Sequence, residues 1–304
     1  MLLRLGVFFT FLASFSAQGF AGKPLNTHSS RRPIQKISEG FYDCRAEGGA
    51  AVERAWDATF LSYWSDGETF RAGAAVLIAW ARKSPQSDDL LFLANEHSFA
   101  AACLPSGECP RVSLSQGFAI GSDGTLIRSK SERRLMLEKI KKVDSSPALD
   151  LALFSAAAPA DSGQDFRPFP IPKQCSELHA QMPMLMIGYP GVYLRPSLRL
   201  QTAKKRCSKG NFIGMAPTKV GNELLAWSSV DSLYGNSGGL AIAPDGAWVG
   251  LMRQSFSQKE NNYSYMGGDG TTLAYQSGAV PCSAVLSYLK AAAGSRLPDP
   301  GPEF

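Results

Sequence analysis

Ser237 stands in a glycine-rich stretch, Gly235-Asn236-Ser237-Gly238-Gly239, and no histidine follows it. The three histidines of the chain, His28, His97 and His179, all precede it. A serine between glycines suits a tight turn that presents a hydroxyl, because the backbone can come close and aim its N–H groups at one point. A plain glycine turn has the same look. Gly-x-Ser-x-Gly also marks the nucleophile elbow of α/β-hydrolases, but that fold needs its histidine after the serine. The order of residues excludes it. Two orders of a serine triad remain open: His, Asp, Ser and Asp, His, Ser.

The first order has candidates in apolar surroundings. His97 ends the run Leu90 to Ala94, in Leu93-Ala94-Asn95-Glu96-His97. Asp150 lies in Ala148-Leu149-Asp150-Leu151-Ala152-Leu153-Phe154. Burying such a carboxylate is costly unless it is hydrogen-bonded. An aspartate that orients a histidine and stabilises its cation meets that condition. Singly, His97 also reads as a satisfied buried histidine and Asp150 as an edge or cap residue. Together and in this order, His97, Asp150 and Ser237 read as a triad.

The N-terminus points to export. A short basic start, Met1 to Arg4, precedes an apolar run from Leu5 to Phe15 and a small-residue stretch from Ser16 to Gly22. This is the pattern of a secretory signal peptide over residues 1–21, with cleavage expected after Gly19 or Ala21. It is too short for a permanent membrane anchor, so a secreted or periplasmic protein is expected. Six cysteines remain behind it, an even number that suggests three disulfides. Cys103 and Cys109 bracket a short turn and are the easiest pair to propose. No Cys-x-x-Cys or Cys/His cluster supports a metal site, and no cofactor is expected. The net charge of +5 is modest, and its densest stretch, Arg128 to Lys142, reads as a solvated strand face. No nucleic-acid motif accompanies it.

Along the chain, residues 22–40 read as a polar tail or short pro-segment. From residue 41 the signals are strands and turns, including Trp56 to Tyr63, Ala72 to Trp80, Leu90 to Ala94, a hairpin about Asp123-Gly124, and Leu149 to Phe154. Residues 156–181 read as a linker, with four prolines between Ala156 and Pro172. A second set follows: Met182 to Ile187, Leu198 to Thr202, Leu224 to Val230, a hairpin turning at Asp245-Gly246, and Thr271 to Tyr275. Ser283 to Ala293 has helical spacing, with Gly294 as its stop, and residues 295–304 read as a disordered tail. Two groups of short strands suggest two β-barrels, 41–155 and 182–280, with a helix over 281–294.

With these residues in view, the chain resembles the trypsin-like serine proteases of the chymotrypsin fold. It is nearer to exported bacterial glutamyl-endopeptidase and HtrA-like members than to animal digestive enzymes. Gly235-Asn236-Ser237-Gly238-Gly239 resembles the nucleophile motif. Leu93 to His97 resembles the Thr-Asn-x-His box, with Ala94 in place of threonine. Asp150-Leu151-Ala152-Leu153 resembles the Asp-aliphatic-Ala-aliphatic box, and Gly188-Tyr189-Pro190-Gly191 the turn that opens the second barrel. The resemblance implies two six-stranded antiparallel β-barrels and hydrolysis of peptide bonds by His97, Asp150 and Ser237. It places the oxyanion hole at the backbone N–H groups of Gly235 and Ser237.

Further expectations rest on the same resemblance. Asp231 stands where a trypsin would carry the acid that selects Arg or Lys. Met252-Arg253-Gln254-Ser255 would be the strand that meets substrate backbone. Serine is frequent where Arg253 falls, so a cation there would block the pocket or select acidic substrates. Asn236 replaces the aspartate that pairs with a newly cut N-terminus in animal relatives, so no zymogen switch of that kind is expected. The disulfides carried over are Cys44 to Cys207 and Cys175 to Cys282. The partner would be a protein or peptide substrate, with no nucleic acid and no membrane anchor, and the chain would act as a monomer. An inactive or weakly active binding protein on a protease fold is the alternative.

Overall fold

Val, Leu, Ile, Phe and Trp fill the strand runs of this chain on both faces, which demands a partner on each side. A computed structural model describes residues 41–45, 48–65, 70–84, 87–116, 118–120, 126–128, 135–158, 166–190, 205–217, 223–232, 235–256 and 276–293. All belong to one compact unit, Ile34–Phe304. The signal peptide, the 22–40 tail, His28, the Asp123-Gly124 turn, the strands expected over 198–202 and 271–275, and the 295–304 tail lie outside the described residues.

The strands of the first half are β1 (Thr59–Ser65), β2 (Phe70–Ser84), β3 (Ser87–Ala94), β4 (Glu108–Cys109), β5 (Val112–Gln116), β6 (Phe118–Ile120), β7 (Leu126–Arg128), β8 (Leu135–Leu137), β9 (Ile140–Ser146) and β10 (Leu151–Ala157). Among the described residues, eight of them form one antiparallel sheet in the order β4-β9-β10-β3-β2-β1-β5-β8, curled into a half-barrel, with β6 and β7 as a separate hairpin. The second half contributes β11 (Pro183–Gly188), β12 (Arg206–Pro217), β13 (Leu224–Ser228), β14 (Leu240–Ile242), β15 (Trp248–Phe256) and β16 (Gln276–Pro281), which close into a six-stranded barrel. This is the two-barrel architecture of the trypsin fold. Helix α2 (Cys282–Ala293) follows β16 without a loop.

The second barrel has a two-sided hydrophobic pattern of period two. Along β11, Met184 and Met186 face a methionine-rich interior with Val249 and Met252. Leu185 and Ile187 face the opposite way, into a core shared with the first half. β13 repeats this, with Ala226 inside and Leu225 and Trp227 in the shared core. The segment between the halves fastens both: Phe169 N donates 2.9 Å to the Leu77 carbonyl of β2, and its ring stacks on Trp248 of β15 at 5.8 Å.

One stretch corrects the sequence reading. Gly49–Ala58 is a helix, α1, where strands and turns are expected, and β1 starts only at Thr59. Val52, Ala55 and Trp56 lie three or four apart and are buried, the spacing of a helical face. Thr59 terminates it, with its N–H on the Trp56 carbonyl and its hydroxyl donating 2.8 Å to Ala55 O. Lys205, buried, donates 2.8 Å from Nζ to the same Trp56 carbonyl and lies over the Trp56 and Tyr189 rings. A cation at a helix C-terminus satisfies a carbonyl that has no partner within the helix. The chain ahead of α1 pairs with the second barrel through Tyr42 and Cys207.

Disulfides join Cys44 to Cys207, Cys103 to Cys109 and Cys175 to Cys282. The first ties the N-terminal strap to β12. The third ties the segment between the halves to the start of α2.

Candidate active site

His97 sits in a single turn of 3-10 helix, Glu96–Ser98, just past the end of β3. Asp150 sits in the turn from β9 to β10, with φ at 56°. That left-handed conformation is uncommon outside glycine, and aspartate is among the residues that tolerate it. It is held from several sides. Asn95 Nδ2 donates 2.9 Å to the Asp150 carbonyl, which also takes the Glu96 N–H at 3.3 Å. The His97 N–H donates 2.9 Å to Oδ1. His97 Nδ1 meets Oδ2 at 2.7 Å, with the carboxylate buried and the imidazole half exposed. A carboxylate in that place keeps the proton on Nδ1 and leaves Nε2 as the acceptor.

Ser237 reaches the site from the second barrel. Its carbonyl accepts 2.7 Å from the Ala74 N–H of β2, across the boundary between the halves. Gly238 N donates to Met252 O, and Met252 N donates to Gly239 O, both at 2.8 Å. The fit leaves no room at Gly238: φ is +83°, and a Cβ there would lie 2.0 Å from the Ala74 carbonyl oxygen. Gly235 also has positive φ, at 93°. Among the described residues, neither Gly235 N nor Ser237 N makes a hydrogen bond. Asn236 is wholly buried, and among the described residues neither atom of its amide has a hydrogen-bond partner.

The Ser237 hydroxyl donates 3.3 Å to the Arg253 carbonyl. No hydrogen bond joins it to His97 among the described residues. Arg253 is the extra residue of a β-bulge, because β15 slips against β16 between Met252, opposite Ala279, and Gln254, opposite Gly278. Its side chain is 17% exposed and turns toward the triad carboxylate, with Nε 3.4 Å from Asp150 Oδ2 and Nη1 3.7 Å from Glu223 Oε2.

Met252 is buried in the second-barrel interior, and its backbone holds the serine loop. Gln254 is half-buried, and the Ser255 backbone pairs with Ser277. Asp231 is half-buried after β13, and its carbonyl accepts 2.6 Å from the Ser208 hydroxyl. His179 lies in the turn before β11. Two contributors have no role in the sequence reading. Asn95 pins the Asp150 carbonyl, and Glu223 faces Arg253. A polar amide at the end of an apolar strand was the available signal for Asn95; Glu223 left none.

The model of the trypsin family matches residues 100–268. The chain belongs to the trypsin family. The matched stretch takes in Asp150 and Ser237 and begins just after His97. Two solved structures of similar fold are the HtrA-type protease AlgW with a tripeptide and a variant of it with a tripeptide. Each has a TM-score of 0.52 and 17% identity, over 81% of this chain and 64% of the other. This trypsin-family chain therefore spans just under two thirds of their length. No curated protein matches it.

Proposed function

We infer that the chain is an exported serine endopeptidase acting through an acyl-enzyme. The observation that carries this reading is the pairing of His97 Nδ1 with the buried Asp150 carboxylate at 2.7 Å, on the half-barrel against which the Ser237 loop is bonded. His97 Nε2 takes the Ser237 proton as Oγ attacks the peptide carbonyl carbon. The imidazolium then protonates the leaving amine, and water attacks the acyl ester with His97 again as base. Gly235 N and Ser237 N receive the oxyanion. Loss of one such donor typically costs about 10²–10³ in rate. Family membership and the tripeptide-bearing structural neighbours support a peptide substrate. The three disulfides and the apolar N-terminus support export.

One observation favours a second reading, a binding protein on this fold: the Ser237 hydroxyl is bonded to the Arg253 carbonyl instead of the imidazole. A fluorophosphonate probe decides, since it needs an activated serine but no knowledge of the substrate. Labelling of the wild type, lost in Ser237→Ala and His97→Ala, is the expected result. A folded, disulfide-intact wild type that takes no label would establish the binding reading instead.

A further inference from the structure

Four groups lie in a row at the boundary of the two halves: Glu223, Arg253, Asp150 and His97. Arg253 Nε and His97 Nδ1 approach the same oxygen, Asp150 Oδ2, at 3.4 Å and 2.7 Å. The opposite edge of the guanidinium faces Glu223 Oε2 at 3.7 Å. Nη1 is buried and has no hydrogen bond among the described residues, so its contact with Glu223 is one of charge alone. The bulge in β15 delivers this cation. Without the extra residue, the chain would run on in register with β16.

We propose that Arg253 is a positioning residue that clamps the Asp150 carboxylate and offsets part of its charge beside His97. This rests on the proposed serine-protease reading of the same site. The negative charge of Asp150 favours the imidazolium form of His97. A guanidinium on the same oxygen cancels part of that charge and repels the imidazolium across it. Glu223 draws the guanidinium the other way and moderates the effect. Among the described residues, Glu96 stands on the turn of His97 itself, and Arg71 lies over Trp64, whose indole bonds the Ser98 carbonyl; both are common to every variant below. The guanidinium is thus engaged by two carboxylates.

The test is the titration of the His97 ring in the full disulfide-intact chain, followed by NMR with labelled histidine and assigned with His28→Gln and His179→Gln. Arg253→Gln should raise the His97 midpoint. Arg253→Lys should keep most of the wild-type value. Glu223→Gln should move the midpoint down. The acid limb of kcat/KM should move the same way in each variant. A midpoint unmoved in Arg253→Gln, or raised in Glu223→Gln, would overturn the proposal. If Arg253→Gln does not fold, the downward shift in Glu223→Gln decides alone. The NMR readout is independent of turnover. Shifts seen in a chain that takes no fluorophosphonate label would keep the Arg253 clamp and remove the protease reading.

Discussion

At the scale of single residues, the site rests on positions where one atom more would not fit. Gly238 combines a left-handed backbone with a carbonyl oxygen where its Cβ would go. Gly238→Ala should cost about 1–3 kcal/mol from backbone strain alone, and relieving the overlap must push the Ser237 loop away from β2. Fluorophosphonate labelling should fall with it, and labelling at the wild-type rate would show that the loop tolerates the displacement. The sequence made the serine and its glycines legible because their chemistry is local. It left Asn236 half-read: asparagine in place of aspartate was visible, but not that its amide is buried with no hydrogen-bond partner among the described residues. The contact of Arg253 with Asp150 was not legible, because a β-bulge is a property of two strands and leaves no mark in one.

At the scale of elements, α2 is the clearest match between pattern and structure, and it carries a pH-sensitive contact. Tyr288 is buried beneath the helix, where burial first, and then the charge of Asp144 on β9, push its hydroxyl well above its ordinary value of 10.0. The unfolded chain gives up this proton near pH 10, whereas the folded chain keeps it. The stabilisation is therefore complete below that pH and is lost as pH rises beyond it. Urea unfolding of Tyr288→Phe should show a shallower loss of stability between pH 9 and 11, roughly the window set by the unfolded value. An unchanged slope would assign the alkaline loss to other groups. Helix α1 was misread as part of a strand region. Its buried face, Val52, Ala55 and Trp56, spans little more than one turn, and its C-terminal carbonyl is satisfied by Lys205, far along the chain and just ahead of β12.

At the scale of the whole molecule, the boundary between the halves is where the candidate site is assembled. His97 and Asp150 come from one side, and Ser237 and Arg253 from the other. Phe169 belongs to neither sheet, but its backbone bonds to β2 and its ring stacks on Trp248 of β15. Phe169→Ala should destabilise the protein by about 3–5 kcal/mol, the usual cost of emptying a buried aromatic site. It should also lower labelling of Ser237 under conditions where the chain remains folded. Equilibrium denaturation followed by tryptophan fluorescence checks the first, and a midpoint equal to wild type would show that Phe169 does not fasten the halves.

The sequence by itself determined the order of the chemical groups and the class of fold. A serine with no histidine after it excludes α/β-hydrolase connectivity, and strand-length apolar runs between turns require sheets packed on both faces. These are local and one-dimensional properties, legible without coordinates. Only the tertiary structure decided which charges meet. It left the first sheet a half-barrel and closed the second, and it set Arg253 beside the Asp150 carboxylate. Each of these depends on register between strands far apart in the chain, and register follows from the packing of both faces at once.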